Sequence, residues 1–358
     1  MHSVTTGHTQ TPLSLGQRLS LPFVRAASAT GLLDGYRLLR RRLVKWSACI
    51  LVYHRVGNTC EFPSDVGLTA TDDFEKQLIY LRRRYRLMSL SELGSALSTG
   101  ATLPADAAVI TFDDGYRDNY LNAYPLLRKH GVPATIFLAT GHVDTGTPYW
   151  WDRIDYAMQN TAREKLELEQ LGTYHFKSTT ERWLAARTIR GRLKDLTENE
   201  KNSAIEQLVR KLGVDMPNTM ARDMILTWDE VREMAKNGIH FGAHTVNHPT
   251  LIGLPLEQAR REIVDSQRRI EERTDTPAIT FAYPDGRPAN INDDIKSILR
   301  ENRFVCAVCA TPSRLVSPGT APYELGRVSP RWNFSTFQLN VSGVYPDLMA
   351  LRSRLRRG

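Results

Sequence analysis

The sequence has no long apolar run. Among its 358 residues no stretch of about 18 or more consecutive apolar residues occurs, so no membrane-spanning helix is expected. The first twenty residues also lack a charged start followed by an apolar segment, which is the pattern of a secretory signal peptide. We therefore expect a cytoplasmic protein, with peripheral contact at the inner membrane as the open alternative.

Cysteine is scarce, with four residues in the chain: Cys49, Cys60, Cys306 and Cys309. The last two form a CxxC pair, a spacing used by redox sites and by one half of many zinc sites. No second CxxC exists, and the pair lies in an apolar run, 304–310, that indicates a buried strand. Residues three apart on a strand point to opposite faces, so we interpret both thiols as core residues.

Acidic residues are fewer than basic ones, 39 against 47, and the formal net charge is +8. The excess is concentrated in two clusters: Arg37, Arg40, Arg41, Arg42 and Lys45, and Arg352, Arg354, Arg356 and Arg357. No nucleic-acid-binding motif accompanies them, so no nucleic-acid partner is expected. A solvated face is the simplest interpretation, and peripheral contact with an anionic membrane is the alternative. The sequence says nothing about oligomeric state.

Short apolar runs alternate with amphipathic segments through most of the chain. The runs predict strands at 48–54, 108–113, 134–139, 240–244, 278–283 and 304–310. The segments between them predict helices at 72–84, 91–97, 122–130, 227–237, 256–273 and 293–302. This alternation predicts an α/β fold with a parallel sheet or barrel that is covered by helices.

Two regions depart from the alternation. Residues 1–47 are polar and then basic, and we expect an extension that wraps the outside or remains loose. Residues 153–222 are polar, with helices expected at 164–169, 183–194 and 198–212, and are interpreted as an insertion beside the main domain, 48–340. Residues 341–358 are interpreted as a basic C-terminal tail.

Polar residues follow four of the predicted strands. His54, the pair Asp113 and Asp114, His244 and the turn 283–286 each come at a carboxyl end. In barrels and open parallel sheets that edge is where ligands bind. The pattern therefore favours one shared site.

These residue types fit a metal-dependent hydrolase. Side chains of adjacent residues on an extended chain diverge, so one of Asp113 and Asp114 can bind a metal while the other faces the substrate. His244 and His248 add two imidazoles, and such a set leaves positions open for water and a carbonyl oxygen. Taken singly, Asp-Asp-Gly is often only a turn and an HxxxH pair is often on the surface.

Two motifs closely resemble those of the polysaccharide deacetylase family, which shares the NodB homology domain (carbohydrate esterase family 4). They are TFDDG at 111–115 and H-[S/T]-x-x-H at 244–248. The resemblance covers about residues 48–150 and 223–330. It implies a distorted (β/α) barrel of about seven strands and hydrolytic removal of acetyl groups from N-acetylated sugars. It assigns the base to Asp113 and the metal ligands to Asp114, His244 and His248.

Other family motifs are absent. The family often has R-x-P-[F/Y] where this chain has Ala282-Tyr283-Pro284-Asp285, so the arginine that steadies the base is missing, and Arg327 is the candidate replacement. The late Leu-x-x-His that supplies the general acid is also missing. His54 is the candidate there, because the run 51–56 resembles a subgroup linked to exopolysaccharide deacetylation.

The remaining candidates concern the substrate and the metal. We expect Tyr283, Pro284, Asp285 and Gly286 to shape the pocket, with a backbone N–H for the oxyanion, and Trp151 to stack on a sugar or to pack in the core. Zinc is the expected metal, although cobalt, nickel and iron accept the same ligands.

A polymer, a lipid-linked oligosaccharide and a sugar precursor all remain open as substrates. An O-deacetylase, a cyclic imide or ureide hydrolase and a non-catalytic glycan-binding protein are the alternatives.

Overall fold

The computed structural model describes residues 15–58, 67–312, 315–330 and 333–355. Cys60, Arg356 and Arg357 lie outside the described residues. The described residues form these strands: β1 (Ser47–Tyr53), β2 (Arg55–Val56), β3 (Leu68–Thr69), β4 (Arg86–Leu87), β5 (Asp106–Phe112), β6 (Ala134–Leu138), β7 (Lys165–Leu168), β8 (Gly172–His175), β9 (Ile239–Ala243), β10 (Thr280–Ala282), β11 (Cys306–Pro312) and β12 (Leu325–Arg327).

The same residues form these α-helices: α1 (Leu15–Ala29), α2 (Leu32–Leu43), α3 (Thr71–Arg84), α4 (Leu90–Thr99), α5 (Tyr124–His130), α6 (Thr140–Thr145), α7 (Trp150–Asn160), α8 (Thr179–Leu193), α9 (Glu198–Leu212), α10 (Asn218–Met224), α11 (Trp228–Lys236), α12 (Leu256–Thr274), α13 (Asp293–Glu301), α14 (Phe334–Val341) and α15 (Val344–Leu355). A π-helical turn, Asn119–Ala123, leads into α5. Short 3₁₀ turns lie at Leu251–Gly253 and Pro288–Asn290. No helix among the described residues has both the length and the hydropathy that crossing a bilayer requires.

Seven parallel strands form a nearly closed barrel. Their order is β1-β5-β6-β9-β10-β11-β12, and the short β4 pairs with the first half of β5. The two ends of this order meet, because the N–H of Val52 donates to the carbonyl of Val328 (3.0 Å) and the N–H of Val328 donates to that of Ile50 (2.7 Å). The distorted seven-stranded (β/α) barrel expected from the sequence is confirmed.

The strands are buried on both faces. Along β5, Ala108, Ile110 and Phe112 pack in one apolar cluster, while Ala107 and Val109 pack in another. Such strands read as continuous apolar runs because helices cover the outside of the barrel and side chains fill its interior. The two thiols of the CxxC pair divide in the same way, Cys309 into the first cluster and Cys306 into the second, as their spacing predicts.

The insertion differs from the prediction in one segment. The helices expected at 183–194 and 198–212 are present as α8 and α9. The helix expected at 164–169 is wrong, because β7 pairs there with β8 in an antiparallel hairpin. Leu166 and Leu168 are buried while Lys165 and Glu167 are exposed, which is the alternation of a strand with one covered face.

Segments from the two ends of the sequence form one helical layer beside the barrel. Residues expected to be loose or to wrap the outside form α1 and α2, and those at the other end form α14 and α15. Helix α1 contacts α14, and α2 contacts α15. Asp347 joins the second pair by accepting hydrogen bonds from the hydroxyl of Tyr36 (2.9 Å) and from Nε of Arg40 (2.8 Å).

Gly242, in β9, has no room for a side chain. A Cβ there would lie 2.5 Å from the ring of the buried Phe137 and 2.6 Å from Oγ1 of Thr280. We expect Gly242→Ala to lower the free energy of unfolding by about 2 kcal/mol, since a packed core resists added volume. Gly191→Ala is the control: it lies inside α8 with open space around it and should be neutral or stabilising by up to about 1 kcal/mol. Urea unfolding of both variants checks this, and equal stability of the two would contradict it.

Candidate active site

The polar residues singled out from the sequence come together at the carboxyl end of the barrel. A cavity of about 930 Å³ opens there, lined among others by His54, Asp113, Asp114, His244, His248 and Arg327. Each of the first five follows its strand or lies in the loop after it, and Arg327 ends β12. The cavity therefore lies at the edge where parallel barrels bind ligands.

Asp114, His244 and His248 form a cluster that could hold a metal ion. Oδ1 of Asp114 lies 3.4 Å from Nε2 of His244 and 3.5 Å from Nε2 of His248. One ligand atom from each residue lies within 4.8 Å of the others. Ligands bound tetrahedrally to zinc at about 2.1 Å lie roughly 3.4 Å apart, so the donor set and the spacing fit that ion.

The two histidines and the loop between them are held in place by hydrogen bonds. Nδ1 of His244 lies 2.7 Å from the carbonyl of Ala282, which leaves Nε2 to face the cavity. Oγ1 of Thr245 accepts the N–H of His248 (2.9 Å). Glu262, on α12, accepts the N–H groups of Val246 and Asn247, both at 2.8 Å. The loop between the ligands is thus fixed by three side chain to backbone contacts.

Backbone strain is concentrated in this site. Six non-glycine residues among those described have positive φ, and four of them are Asp114 (72°), Thr245 (67°), His248 (57°) and Asp285 (57°). Left-handed backbone costs such residues of order 1 kcal/mol or more, and it persists only where the surroundings hold it. At Asp114, the hydroxyl of Tyr149 donates to the residue's own carbonyl. The left-handed backbone at Asp114 and His248 orients their side chains towards Nε2 of His244.

Asp113 makes a paired contact with Arg327 rather than with the metal cluster. Nη1 of Arg327 lies 2.7 Å from Oδ1 and Nη2 lies 2.6 Å from Oδ2, and both side chains are buried. Burial alone would raise the pKa of Asp113, but the charge and hydrogen bonds of Arg327 outweigh it and bring the pKa to about 2. Asp113 is therefore an ionised carboxylate at neutral pH, and the arginine contacting it comes from the last strand.

His54 lies on the cavity wall beside Asp113. Its Nε2 is 4.0 Å from Oδ2 of Asp113, and its side chain is half-buried. The backbone carbonyl of His54 accepts a hydrogen bond from Nδ2 of Asn119 (2.8 Å), which fixes the strand end. The imidazole thus shares the cavity with the metal cluster and the carboxylate.

An aromatic layer lies behind the metal cluster. The ring of Trp151 stacks on Tyr149 at 4.5 Å and meets His248 edge to face at 4.9 Å. Its Nε1 donates to the hydroxyl of Tyr116 (2.7 Å), which donates to the buried carboxylate of Asp152 (2.8 Å). Trp151 lines the cavity, but most of its surface is buried against these neighbours, so it packs as a core residue and its stacking on a sugar stays a prediction.

Within the turn at 283–286, Tyr283, Asp285 and Gly286 line the cavity, while Pro284 is buried and is not among the lining residues. The N–H of Tyr283 donates to the carbonyl of Val308 (3.2 Å). An oxyanion contact from this turn would therefore have to come from the N–H of Asp285 or of Gly286. Asp285 pairs with Lys194 of the insertion (2.9 Å), which ties the insertion to the site.

Several residues of the site were not found from the sequence. Glu262 and Tyr149 hold the ligand loops, yet they belong to no motif and lie far from the ligands along the chain. The insertion contributes Arg190, Lys194 and Lys201 to the cavity wall, and the terminal helices contribute apolar side chains. Only the basic residues of 190–194 and the aromatic run at 149–151 could have drawn attention to them.

Comparison with known proteins decides the family. The profile described as polysaccharide deacetylase matches residues 100–307, more than half of the chain. The chain belongs to the polysaccharide deacetylase family. The resemblance inferred from the two motifs is thereby confirmed, and both lie within or at the matched region.

Relatives of this polysaccharide deacetylase include enzymes named as N-deacetylases of a polysaccharide. The poly-β-1,6-N-acetyl-D-glucosamine N-deacetylase of Staphylococcus epidermidis is 26% identical over 216 residues, covering 55% of this chain and 72% of that protein. Among solved structures, deacetylase PplD of Streptococcus pyogenes, in complex with acetate, aligns with a TM-score of 0.55 at 20% identity over 84% of this chain and 99% of that one. IcaB of Ammonifex degensii aligns at 0.53 and 19% identity, over 85% and 98%. The two structural likenesses bear on the fold alone.

Removing Arg327 should leave a buried, unpaired carboxylate. We expect Arg327→Met to lower the free energy of unfolding at neutral pH by about 3–5 kcal/mol, the usual effect of breaking a buried ion pair. Adding Asp113→Asn to that variant removes the stranded charge and should restore about half of the loss. Urea unfolding of the two single variants and the double variant measures the coupling. Additive effects would mean that the two side chains do not interact.

Proposed function

We propose that this polysaccharide deacetylase is a metal-dependent hydrolase that removes N-acetyl groups from an N-acetylated saccharide of an exopolysaccharide or envelope glycan. The observation that carries the proposal is the position of Asp113. It is an ionised, buried carboxylate beside the Asp-His-His cluster in one cavity, and its contacts are with Arg327 rather than with the cluster. Relatives that act on poly-β-1,6-N-acetyl-D-glucosamine support an acetamido sugar as substrate.

Asp114, His244 and His248 would hold the metal. When bound there, a divalent ion would acidify a water molecule and polarise the acetamide carbonyl. Zinc is the first choice, since two imidazoles and one carboxylate are ordinary ligands of catalytic zinc and leave a coordination position open. Cobalt, nickel and iron accept the same ligands.

Asp113 would accept the proton of the attacking water. Its low pKa keeps it ionised but also makes it a weak base, so it can take a proton only from water that is already acidic. Arg327 is a positioning residue in this scheme. Its two hydrogen bonds fix the plane of the carboxylate and therefore the direction from which a proton arrives.

His54 would donate a proton to the departing amine. It lies on the cavity wall beside Asp113, with Nε2 4.0 Å from Oδ2 of that carboxylate. A general acid must reach the leaving nitrogen by hydrogen bonding, and a half-buried imidazole facing the cavity meets that requirement. Loss of this role should lower kcat more than it changes KM.

Removal of the metal is the first test. Acetate release from a panel of N-acetylated oligosaccharides should stop with a chelator and return with added zinc. His248→Ala should bind zinc much more weakly, which elemental analysis of the purified protein measures independently of activity. Gln338→Ala, a buried change on α14 outside the cavity lining, is the matched control and should keep its zinc. Undiminished release in the presence of chelator would overturn metal dependence.

The base is tested by a variant that leaves the metal ligands intact. Asp113→Asn should reduce acetate release at least about a thousandfold, within the range that positioned acid–base groups contribute together with electrostatic stabilisation. Bound zinc should be unchanged. Near-normal turnover would remove Asp113 from the mechanism.

The same assay separates the other functions. Release from O-acetylated but not N-acetylated sugars would identify an O-deacetylase. Hydrolysis of cyclic imides or ureides alone would identify a small-molecule amidase, and affinity for glycans without turnover would identify a binding protein. The cytoplasmic location stays a prediction, which cell fractionation checks.

A further inference from the structure

Exposed apolar side chains are concentrated in the terminal helices. Among the described residues twelve large apolar side chains are exposed, and eight lie on α1, α2 and α15: Phe23, Leu32, Tyr36, Leu38, Leu39, Leu43, Leu348 and Leu351. The other four, Leu121, Leu184, Ile252 and Leu256, lie outside these three helices. Isolated exposed leucines are normal, whereas a grouped set marks a contact surface.

On α2 these side chains form one stripe. Leu32, Tyr36, Leu39 and Leu43 follow each other at helical spacing and so share a face, and the two terminal members are 67% and 77% exposed. The side of α2 that packs against the fold carries Leu33 and Arg37, which are buried. Tyr36 hydrogen-bonds Asp347 of α15, next to the exposed Leu348, so the apolar surface continues from α2 onto α15.

The charge around the stripe is positive. Arg25, Arg42, Lys45 and Arg352 are exposed on or beside the three helices, whereas Arg41 pairs with Asp106. The acidic residues of α2 and α15 are both engaged by neighbours. Asp34 contacts Tyr80 and Arg84, and Asp347 contacts Tyr36 and Arg40. The surface thus combines an aliphatic strip with outward-facing cations.

This surface reaches the mouth of the cavity. Leu21 and Val24 of α1 and Leu348 and Met349 of α15 line the cavity wall. Leu348 belongs to both, since it is 51% exposed and also lines the cavity. An object that covers Leu348 together with the stripe therefore also covers part of the cavity wall.

We propose that α1, α2 and α15 dock the protein onto an anionic lipid bilayer. The leucines would enter the boundary between headgroups and acyl chains, and the arginines would contact lipid phosphates, as amphipathic helices do at membrane interfaces. A second copy of the chain fits less well, because it would place the same arginines opposite one another. In the docked position the cavity opens at the membrane surface, where saccharides carried on a lipid are presented.

The test is flotation of the full chain with lipid vesicles. The protein should float with phosphatidylcholine vesicles that contain about one third phosphatidylglycerol and should float much less with phosphatidylcholine alone, since each arginine near an anionic surface contributes about a fivefold gain in affinity. Leu39→Glu with Leu43→Glu, and separately Arg42→Gln with Lys45→Gln, should each weaken binding about tenfold or more. Leu184→Glu with Leu256→Glu, two exposed leucines elsewhere, is the matched control and should bind normally.

Circular dichroism and thermal unfolding should show that the variants fold. Their acetate release from soluble sugars should equal that of the unchanged protein, because none of these residues lines the cavity, so failure of the proposed function and failure of docking are read separately. Protein that stays in the buffer with every vesicle would overturn the proposal. Vesicle binding that the control reduces as much as the stripe variants would do the same. So would a dimer, seen by sedimentation velocity, that Leu39→Glu with Leu43→Glu dissociates in place of any lipid binding.

Discussion

The buried contact between Arg327 and Asp113 is the interaction on which the rest of the site depends. It crosses β1, from the last strand to the end of β5, and so it exists only if β12 closes against β1. It also fixes the residue immediately before Asp114, whose left-handed backbone turns the candidate metal ligand towards the two histidines. Closure of the barrel, ionisation of Asp113 and orientation of the Asp114 side chain are thus linked through one guanidinium group.

Around that contact the site is held by neighbouring side chains, of which Glu262 and Tyr149 are not among the residues that line the cavity. Glu262 binds the loop of the histidines, Tyr149 binds the backbone of Asp114, and Trp151 packs against His248. Strain in this loop is tolerated because these neighbours leave it no relaxed alternative. The catalytic edge is therefore rigid, whereas the insertion and the terminal helices supply the walls that differ in chemical character, one with cations and the other largely aliphatic.

The barrel and the centre of the site could be predicted from the sequence because their signals are local. A buried strand is a continuous apolar run, and both motifs place their functional residues within five positions of each other. Arg327 could be named as a candidate only through the absence of the usual arginine, and its contact with Asp113 is set by barrel closure, which no short window reveals. The prediction of a helix where the hairpin 165–175 lies is wrong because β7 has four residues. That number is too small to distinguish a period of two from a period of 3.6. The terminal helices were missed because their partners are at the far end of the chain.

The meeting of the two ends of the sequence bears on the order in which the protein can fold. Val52 of the first barrel strand bonds to Val328, and α2 is tied to Asp347. During synthesis on the ribosome these segments must therefore wait for partners that lie as many as 311 residues later in the chain. Long-range closures of this kind slow folding and leave apolar edges uncovered meanwhile. The leucine-rich helix α2 and the unpaired side of β1 are then the parts of the nascent chain that a chaperone would have most reason to cover.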